Sequence, residues 1–266
     1  MKFRGMQYFA LVRRSFIDLA HWATYHLTLS FHQVGAGLQV TPNASKLLKQ
    51  WGLSESLWNS IAKPGSLNIR RYSDGKILYT EQGYGKDMEL RYGAPFVDIH
   101  RVDLQKALYD RALQLGIAFK FGQRIAEVDI AGGRVSSTTS EQFYGDLIIG
   151  ADGLWSRCRE ALLGRQDRPQ ATGDIVYRII LNADDILDQD LRERVTKPAI
   201  NFWFGPDSHV VSYSVRAGTM LNIVLMCPDD LPPEISKKEG SCEELRELFS
   251  TWDPMLVMFS MALHVY

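Results

Sequence analysis

Cysteine is scarce in this sequence: Cys158, Cys227 and Cys242 form an odd, widely spaced set. No Cys-x-x-Cys or Cys-x-x-His pair exists. That excludes a zinc site and a disulfide framework by spacing, and makes a reducing compartment the default. The histidines form no His-Glu-x-x-His pattern, and neither a Gly-x-Ser-x-Gly elbow nor a P-loop occurs. An excess of charge is missing too. Thirty basic residues against thirty-one acidic ones leave a net charge of −1, so nothing selects a nucleic acid. Long apolar runs are absent near the start, where Met6 to Val12 contains Gln7 and ends at Arg13 and Arg14. This is too short for a transmembrane span and poor as a signal peptide, so a soluble, cytoplasmic protein is expected. Residues 1–33 hold one glycine, Gly5, and no nucleotide fingerprint. They are rich in aromatics and read as a helix.

What is present suits a folded domain. The chain has 266 residues, 45% hydrophobic and 23% charged, enough for one large domain or two modest ones. Thr41 as N-cap, Pro42 at the first helical position and Leu47, Leu48 and Trp51 predict a helix ending at Gly52. Residues 66–96 read as a hairpin turning at Asp74-Gly75. A second helix is expected over Val102–Leu115 with Gly116 as its stop. Strands follow over Ala118–Ile130 and Val135–Tyr144, joined at Gly132-Gly133, and a buried strand over Leu147–Ile149. Beyond a helix opening near Ser156, four further runs read as a largely antiparallel sheet. They are Ile175–Leu181, Asn201–Phe204, His209–Val215 and Met220–Cys227, the last two joined at Ala217-Gly218. A short helix covers Glu243–Phe249.

Four places carry candidate chemistry. The first is Asp146–Glu160, where a strand delivers Gly150, Asp152 and Gly153 to a helix start. Small residues, an acid and a helix N-terminus together suit a phosphate or ribose, although Gly-x-Asp-Gly alone is a common turn. The second is Arg101, placed at the start of a helix, where a cation is unfavourable without an anion. Either a bound phosphate or an ion pair with Asp98 or Asp103 would satisfy it. The third is the small-residue turn Gly35-Ala36-Gly37, everyday structure when read by itself. The fourth is Arg178, sharing a strand face with Val176 and Ile180, together with Tyr213, between Val211 and Val215. Burial of either demands a polar partner. Arg178 could pair with Asp184 or Asp185, or hold a ligand; Tyr213 could simply pack, or hold the same ligand.

The longer strings decide among these readings. Asp146–Glu160 closely resembles the Asp-Gly segment of FAD-dependent aromatic hydroxylases, the salicylate-hydroxylase-like flavoprotein monooxygenases. Ser156 and Arg159 match the Ser and Arg that follow it. His100-Arg101-Val102-Asp103-Leu104 resembles the family's His-Arg-x-Asp-Leu segment, and Val34–Leu53 its isoalloxazine-side segment. Tyr177-Arg178 and Val211-Ser212-Tyr213 align with the two strands that hold the substrate phenolate, with Ser214 where the family usually has proline. The resemblance covers Gln33 to Met255. It implies FAD held by Gly35, Ala36, Gly37, Arg101, Asp152 and Gly153, with Arg178 and Tyr213 as the catalytic pair. It also implies NAD(P)H as co-substrate, O2, a phenolic or related aromatic substrate, and no metal.

Two family elements are missing from the sequence. The opening Gly-x-Gly-x-x-Gly that meets the FAD pyrophosphate is absent, and so is the later Gly-Asp-Ala-x-His that holds the ribityl chain. Gly173-Asp174-Ile175 stands in another context. The expected fold class is therefore α/β, with an incomplete Rossmann-like FAD/NAD(P)-binding domain and a largely antiparallel substrate sheet. Residues 1–33 are an unmatched segment and 34–165 a partial FAD-binding domain, whose hairpin at 66–96 belongs to the substrate side. Residues 166–266 form a substrate-binding sheet domain truncated at its C-terminal end. Without the first βαβ unit, Leu147–Ile149 is expected to show exposed edges or apolar faces. The alternatives to an aromatic hydroxylase are a catalytically inactive fragment of that fold, or another flavin oxidoreductase such as an epoxidase.

Overall fold

A computed structural model describes residues 8–13, 21–26, 36–229 and 241–261 as a mixed α/β structure. Its contacts divide the chain into two compact units. The larger comprises residues 34–107 and 173–266, the smaller residues 2–33 and 108–172.

Numbered along the chain, the main strands of the larger unit are β4 (Ser66–Arg71), β5 (Ile77–Gln82), β12 (Asp174–Asn182), β13 (Ala199–Gly205), β14 (Ser208–Val215) and β15 (Met220–Pro228). They lie in the order β12-β15-β14-β13-β4-β5, antiparallel except where β13 meets β4. Alternation gives the sheet two different faces. One carries Ile179, Leu181, Trp203, Val210, Leu221, Ile223 and Leu225. It packs under Leu191 and Val195 of α6 (Gln189–Thr196), Leu245 of α7 (Cys242–Leu248), and Leu256 and Phe259 of α8 (Pro254–Met261). Trp203 is fully buried here, and its indole N–H donates to Asp253 Oδ2 at 2.9 Å. The hairpin at Asp74-Gly75 is present, as is the turn at Ala217-Gly218, where both residues are left-handed (φ 54° and 90°).

The same unit contains a two-stranded ribbon of β3 (Gly37–Val40) and β6 (Val97–His100). Leu38, Val40, Val97 and Ile99 share one face of it. They pack with Leu48 of α1 (Pro42–Gln50), Leu57 of α2 (Glu55–Ser60) and Ala107 of α4 (Arg101–Gln114). Helix α1 starts at Thr41 and Pro42 as the sequence predicts. Helices α2 and α8, and α3 (Tyr84–Tyr92) inside the 66–96 region, are too short for a clear apolar period and escape sequence reading.

In the smaller unit, β1 (Tyr8–Arg13), β2 (His21–His26), β7 (Ala118–Phe121) and β11 (Leu147–Ala151) form a sheet in the order β11-β1-β2-β7. The helix expected within residues 1–33 is thus replaced, in its described parts, by an antiparallel β1–β2 pair. The physical reason is in the residues: YFALVR and HWATYH are rich in aromatic and β-branched side chains, and both flanking strands offer ladder partners. The expected strand over 135–144 is itself a hairpin. Strands β8 (Ile125–Asp129), β9 (Arg134–Ser137) and β10 (Gln142–Tyr144) form a three-stranded sheet around Ile125, Val135 and Phe143. Helix α5 (Arg157–Leu163) follows β11.

Candidate active site

The ribbon turns its polar face to the six-stranded sheet. Gly37, Gln39, Asp98 and His100 alternate with the apolar residues that face the helices, and Gly37 pairs with His100, Gln39 with Asp98. At Gly37 the approach is so close that a Cβ would lie 2.6 Å from Tyr213 Cε2 and 2.9 Å from Asn222 Cβ. Only glycine fits there. The Gly37 N–H donates to Asn222 Oδ1 at 2.8 Å. Ala36 is buried and its carbonyl accepts the Arg101 N–H at 3.0 Å. The structure therefore brings Ala36, Gly37 and Arg101 together at one end of the ribbon, beside Tyr213. Gly35 lies outside the described residues.

Register shows what else shares Tyr213's face. Tyr213 stands opposite Asn222 on β15, and Asn222 opposite Ile180 on β12; Arg178 is two residues along from Ile180 on the same face. Val224, Val211 and Phe202 continue the Arg178 row. Phe202 stacks on Phe204 with ring centroids 5.9 Å apart. The sheet thus presents a guanidinium, a phenol, an amide and an aromatic lane. Arg178 is solvent-exposed, so the desolvation cost expected from its β-branched neighbours does not arise. Of the acids considered for it, Asp184 binds Arg192 at 2.5 Å.

Electrostatics follow from burial. Tyr213 is 5% exposed; burial pushes its phenol well up, nearby Asp98 adds to the effect and Arg178 opposes it. It remains a proton donor at neutral pH. Asp98 is 1% exposed, and burial raises its carboxyl to about 8, against a hydrogen bond from Gln39 at 3.2 Å. Burial lowers His100, the Arg216 cation adds to this, and Asp103 opposes it. Asp103 is held by both Arg216 Nε and Nη2 at 2.8 Å. Those two acids, which the sequence offered to Arg101, thus have Gln39 and Arg216 as partners.

The Asp-Gly segment lies in the smaller unit. Asp152 is buried, and its carboxylate accepts Ser156 Oγ–H at 2.5 Å, Arg157 N–H at 2.5 Å and Cys158 N–H at 3.1 Å. Ser156 Oγ in turn caps the Arg159 N–H at 3.0 Å. The first amides of α5, expected to suit a ligand phosphate, are thus bound by the protein's own side chains. Gly153 is left-handed (φ 71°), and Arg159 staples the loop through the Leu154 carbonyl at 2.9 Å and Asp167 at 2.7 Å. Burial, reinforced by Asp152, raises the Cys158 thiol to about 11, which disfavours its thiolate at neutral pH.

Asn222 is the functional candidate that sequence reading passes over. Its signal was there: an amide on a strand otherwise made of apolar residues, MLNIVLMC. Its Nδ2 and His100 Nδ1 are both buried without a hydrogen-bond partner among the described residues. Each such atom costs about 1–3 kcal/mol. Two of them beside Gly37 fit a polar ligand at this seam, where the buried backbone of Ala36 and Gly37 lies next to Arg101. Among the described residues no group of acids, histidines and cysteines could hold a metal, and no helix is long and apolar enough to cross a membrane.

No family model matches the chain. Over 234 residues it is 45% identical to the FAD-dependent monooxygenase OpS4 of Beauveria bassiana, covering 86% of this chain and 54% of that protein. Over 226 residues it is 28% identical to 3-hydroxybenzoate 6-hydroxylase of Klebsiella oxytoca, covering 84% and 55%. HpxO of Klebsiella pneumoniae, solved with FAD and uric acid, shares the fold. Its TM-score is 0.73 at 21% identity, over 90% of this chain and 58% of that one. The chain spans about half the length of the curated relatives it matches. In sequence the chain is thus similar to FAD-dependent monooxygenases, an aromatic hydroxylase among them, over about half of their length, and in fold to an FAD-bound enzyme.

Proposed function

We propose that this chain contributes the substrate sheet and the flavin-side segment of a monooxygenase that hydroxylates a phenolic or related aromatic molecule with NAD(P)H and O2. The observation that carries the reading is the contact at Gly37. There the segment expected to meet the flavin touches Tyr213, the residue expected to meet the substrate. The names of the relatives, a hydroxybenzoate hydroxylase among them, support the substrate class. Free thiols at Cys158, Cys227 and Cys242 suit a reducing, cytoplasmic setting.

FAD, when bound, supplies the redox chemistry with O2. Ala36, Gly37 and Arg101 would hold it on the larger unit. The chain's own residues prepare the substrate. Arg178 favours the ionised phenol by its fixed positive charge. Tyr213 keeps its proton, because burial and Asp98 oppose ionisation, and donates it in a hydrogen bond to the phenolate oxygen. Phe202 and Phe204 offer an apolar floor for the ring. Tyr213 also fixes the ring's distance from Gly37, and so from the flavin side.

A second reading is a ligand-binding chain without turnover. The antiparallel β1–β2 pair supports it, because a Gly-x-Gly-x-x-Gly turn between strand and helix would otherwise grip the pyrophosphate. The two separate in one assay of the 266-residue chain with excess FAD, NADH or NADPH, O2 and 3-hydroxybenzoate. Hydroxylated product carrying one atom from labelled O2 supports the first reading. Binding of 3-hydroxybenzoate without product supports the second. The chain should purify colourless and bind added FAD weakly; stoichiometric flavin surviving gel filtration would contradict this.

A further inference from the structure

Asn222 stands on β15 between Ile180 of β12 and Tyr213 of β14, with its side chain on the face that also bears Arg178. It has no exposed surface. Its Oδ1 accepts the Gly37 N–H at 2.8 Å, a bond that spans 185 positions of sequence. Its Nδ2 is buried with no partner among the described residues. Packing alone does not call for an amide here. The flanking positions on this strand face are Met220 and Val224; the Gly37 N–H needs an acceptor, but no group among the described residues uses the Nδ2 donor. The acceptor end is used by the protein, so the donor end is the one left for a ligand. Tyr213 and Asn222 are directly opposed across the ladder, and both lie against Gly37.

We propose that Asn222 is a positioning residue with two tasks. Oδ1 fixes the Ala36-Gly37 segment against the substrate sheet. Nδ2 donates to the phenolate or carboxylate oxygen of the aromatic ligand, alongside Tyr213. The ligand half rests on the function proposed above; the Gly37 half does not.

The test uses the 266-residue chain and two variants, with 3-hydroxybenzoate as the probe ligand. Asn222→Leu keeps the branched, four-heavy-atom side chain and removes both polar ends. Asn222→Asp keeps an acceptor for Gly37, turns an oxygen toward the ligand, and covers the case in which the leucine variant does not fold. Amide hydrogen exchange at Gly37 should be about tenfold faster in Asn222→Leu and unchanged in Asn222→Asp. Calorimetric affinity for 3-hydroxybenzoate should fall about tenfold or more in both. If Asn222→Leu folds and Gly37 exchanges as slowly as in the parent, the tie to the flavin-side segment is wrong. If the parent binds the probe and Asn222→Asp binds it equally well, the donor role is wrong while the proposed function stands. If the parent itself binds no aromatic acid with or without FAD, the proposed function falls and takes the donor role with it.

Discussion

In the larger unit, strands β13, β14 and β15 bury Trp203, Val210, Ile223 and Leu225 almost completely beneath three helices. In the smaller unit the described core is Ile125, Val135 and Phe143 with a few partly buried neighbours, while Leu147 and Ile149 of β11 stay 54% and 40% exposed. Ile148, pointing the other way, packs against that core. Leu115, Leu154 and Leu162 add to the exposed apolar surface of the smaller unit. The difference teaches where this chain's packing is concentrated. Among the described residues, the six-stranded sheet buries a full layer of large side chains, whereas the core of the smaller unit is a small cluster.

The largest effect should come from the centre of the larger unit. Trp203→Ala removes a fully buried ring and leaves Asp253 Oδ2 without its indole donor. A loss of about 3–5 kcal/mol is expected in urea unfolding. A loss below about 1 kcal/mol would mean that this core is looser than its burial suggests.

A smaller, pH-dependent effect is expected at Asp98. Its carboxyl is raised to about 8 in the folded chain, chiefly by burial, whereas the unfolded chain ionises near the ordinary value of 3.8. Between those values the unfolded state binds fewer protons, so Asp98 makes stability fall as pH rises from about 4 to 8. Asp98→Asn should therefore raise the melting temperature at pH 8 more than at pH 5. Equal shifts at both would show that Asp98 is ionised in place.

The smallest effect belongs to the exposed strand. Leu147→Lys and Ile149→Lys should each change stability by no more than about 0.5 kcal/mol, while reducing aggregation seen by light scattering. A loss of about 2 kcal/mol or more would show this face to be packed, and the contrast between the units would collapse.

Much of the fold was legible because its signals are local. The Thr41-Pro42 helix start, the Asp74-Gly75 turn and the four strands after residue 173 are each written in a few adjacent residues. Tyr8–Arg13 and His21–His26 are strands where a helix is expected, because aromatic content alone does not choose a period and pairing with β7 and β11 settles them. At the site, Arg101, Arg178 and Tyr213 could be named from short strings. The closeness of Gly37 to Tyr213 and Asn222 could not, since those residues are 176 and 185 positions away and meet only through sheet register. Asp152 shows what short strings leave out: an acid beside glycines before a helix reads as ready for a ligand, and in the structure its carboxylate also accepts two amides of α5.

The central claim is that Arg178 and Tyr213 act on one oxygen of an aromatic ligand held on the larger unit. Titration of 3-hydroxybenzoate into the parent chain, Arg178→Ala, Tyr213→Phe and the double variant tests it directly. Arg178→Ala should weaken binding by about 10- to 100-fold and Tyr213→Phe by about fivefold, as for a charged and a neutral partner respectively. The double variant should lose less than the product of the two, because both groups serve the same oxygen. Binding by Arg178→Ala at the parent affinity, or fully multiplicative losses, would contradict the shared clamp.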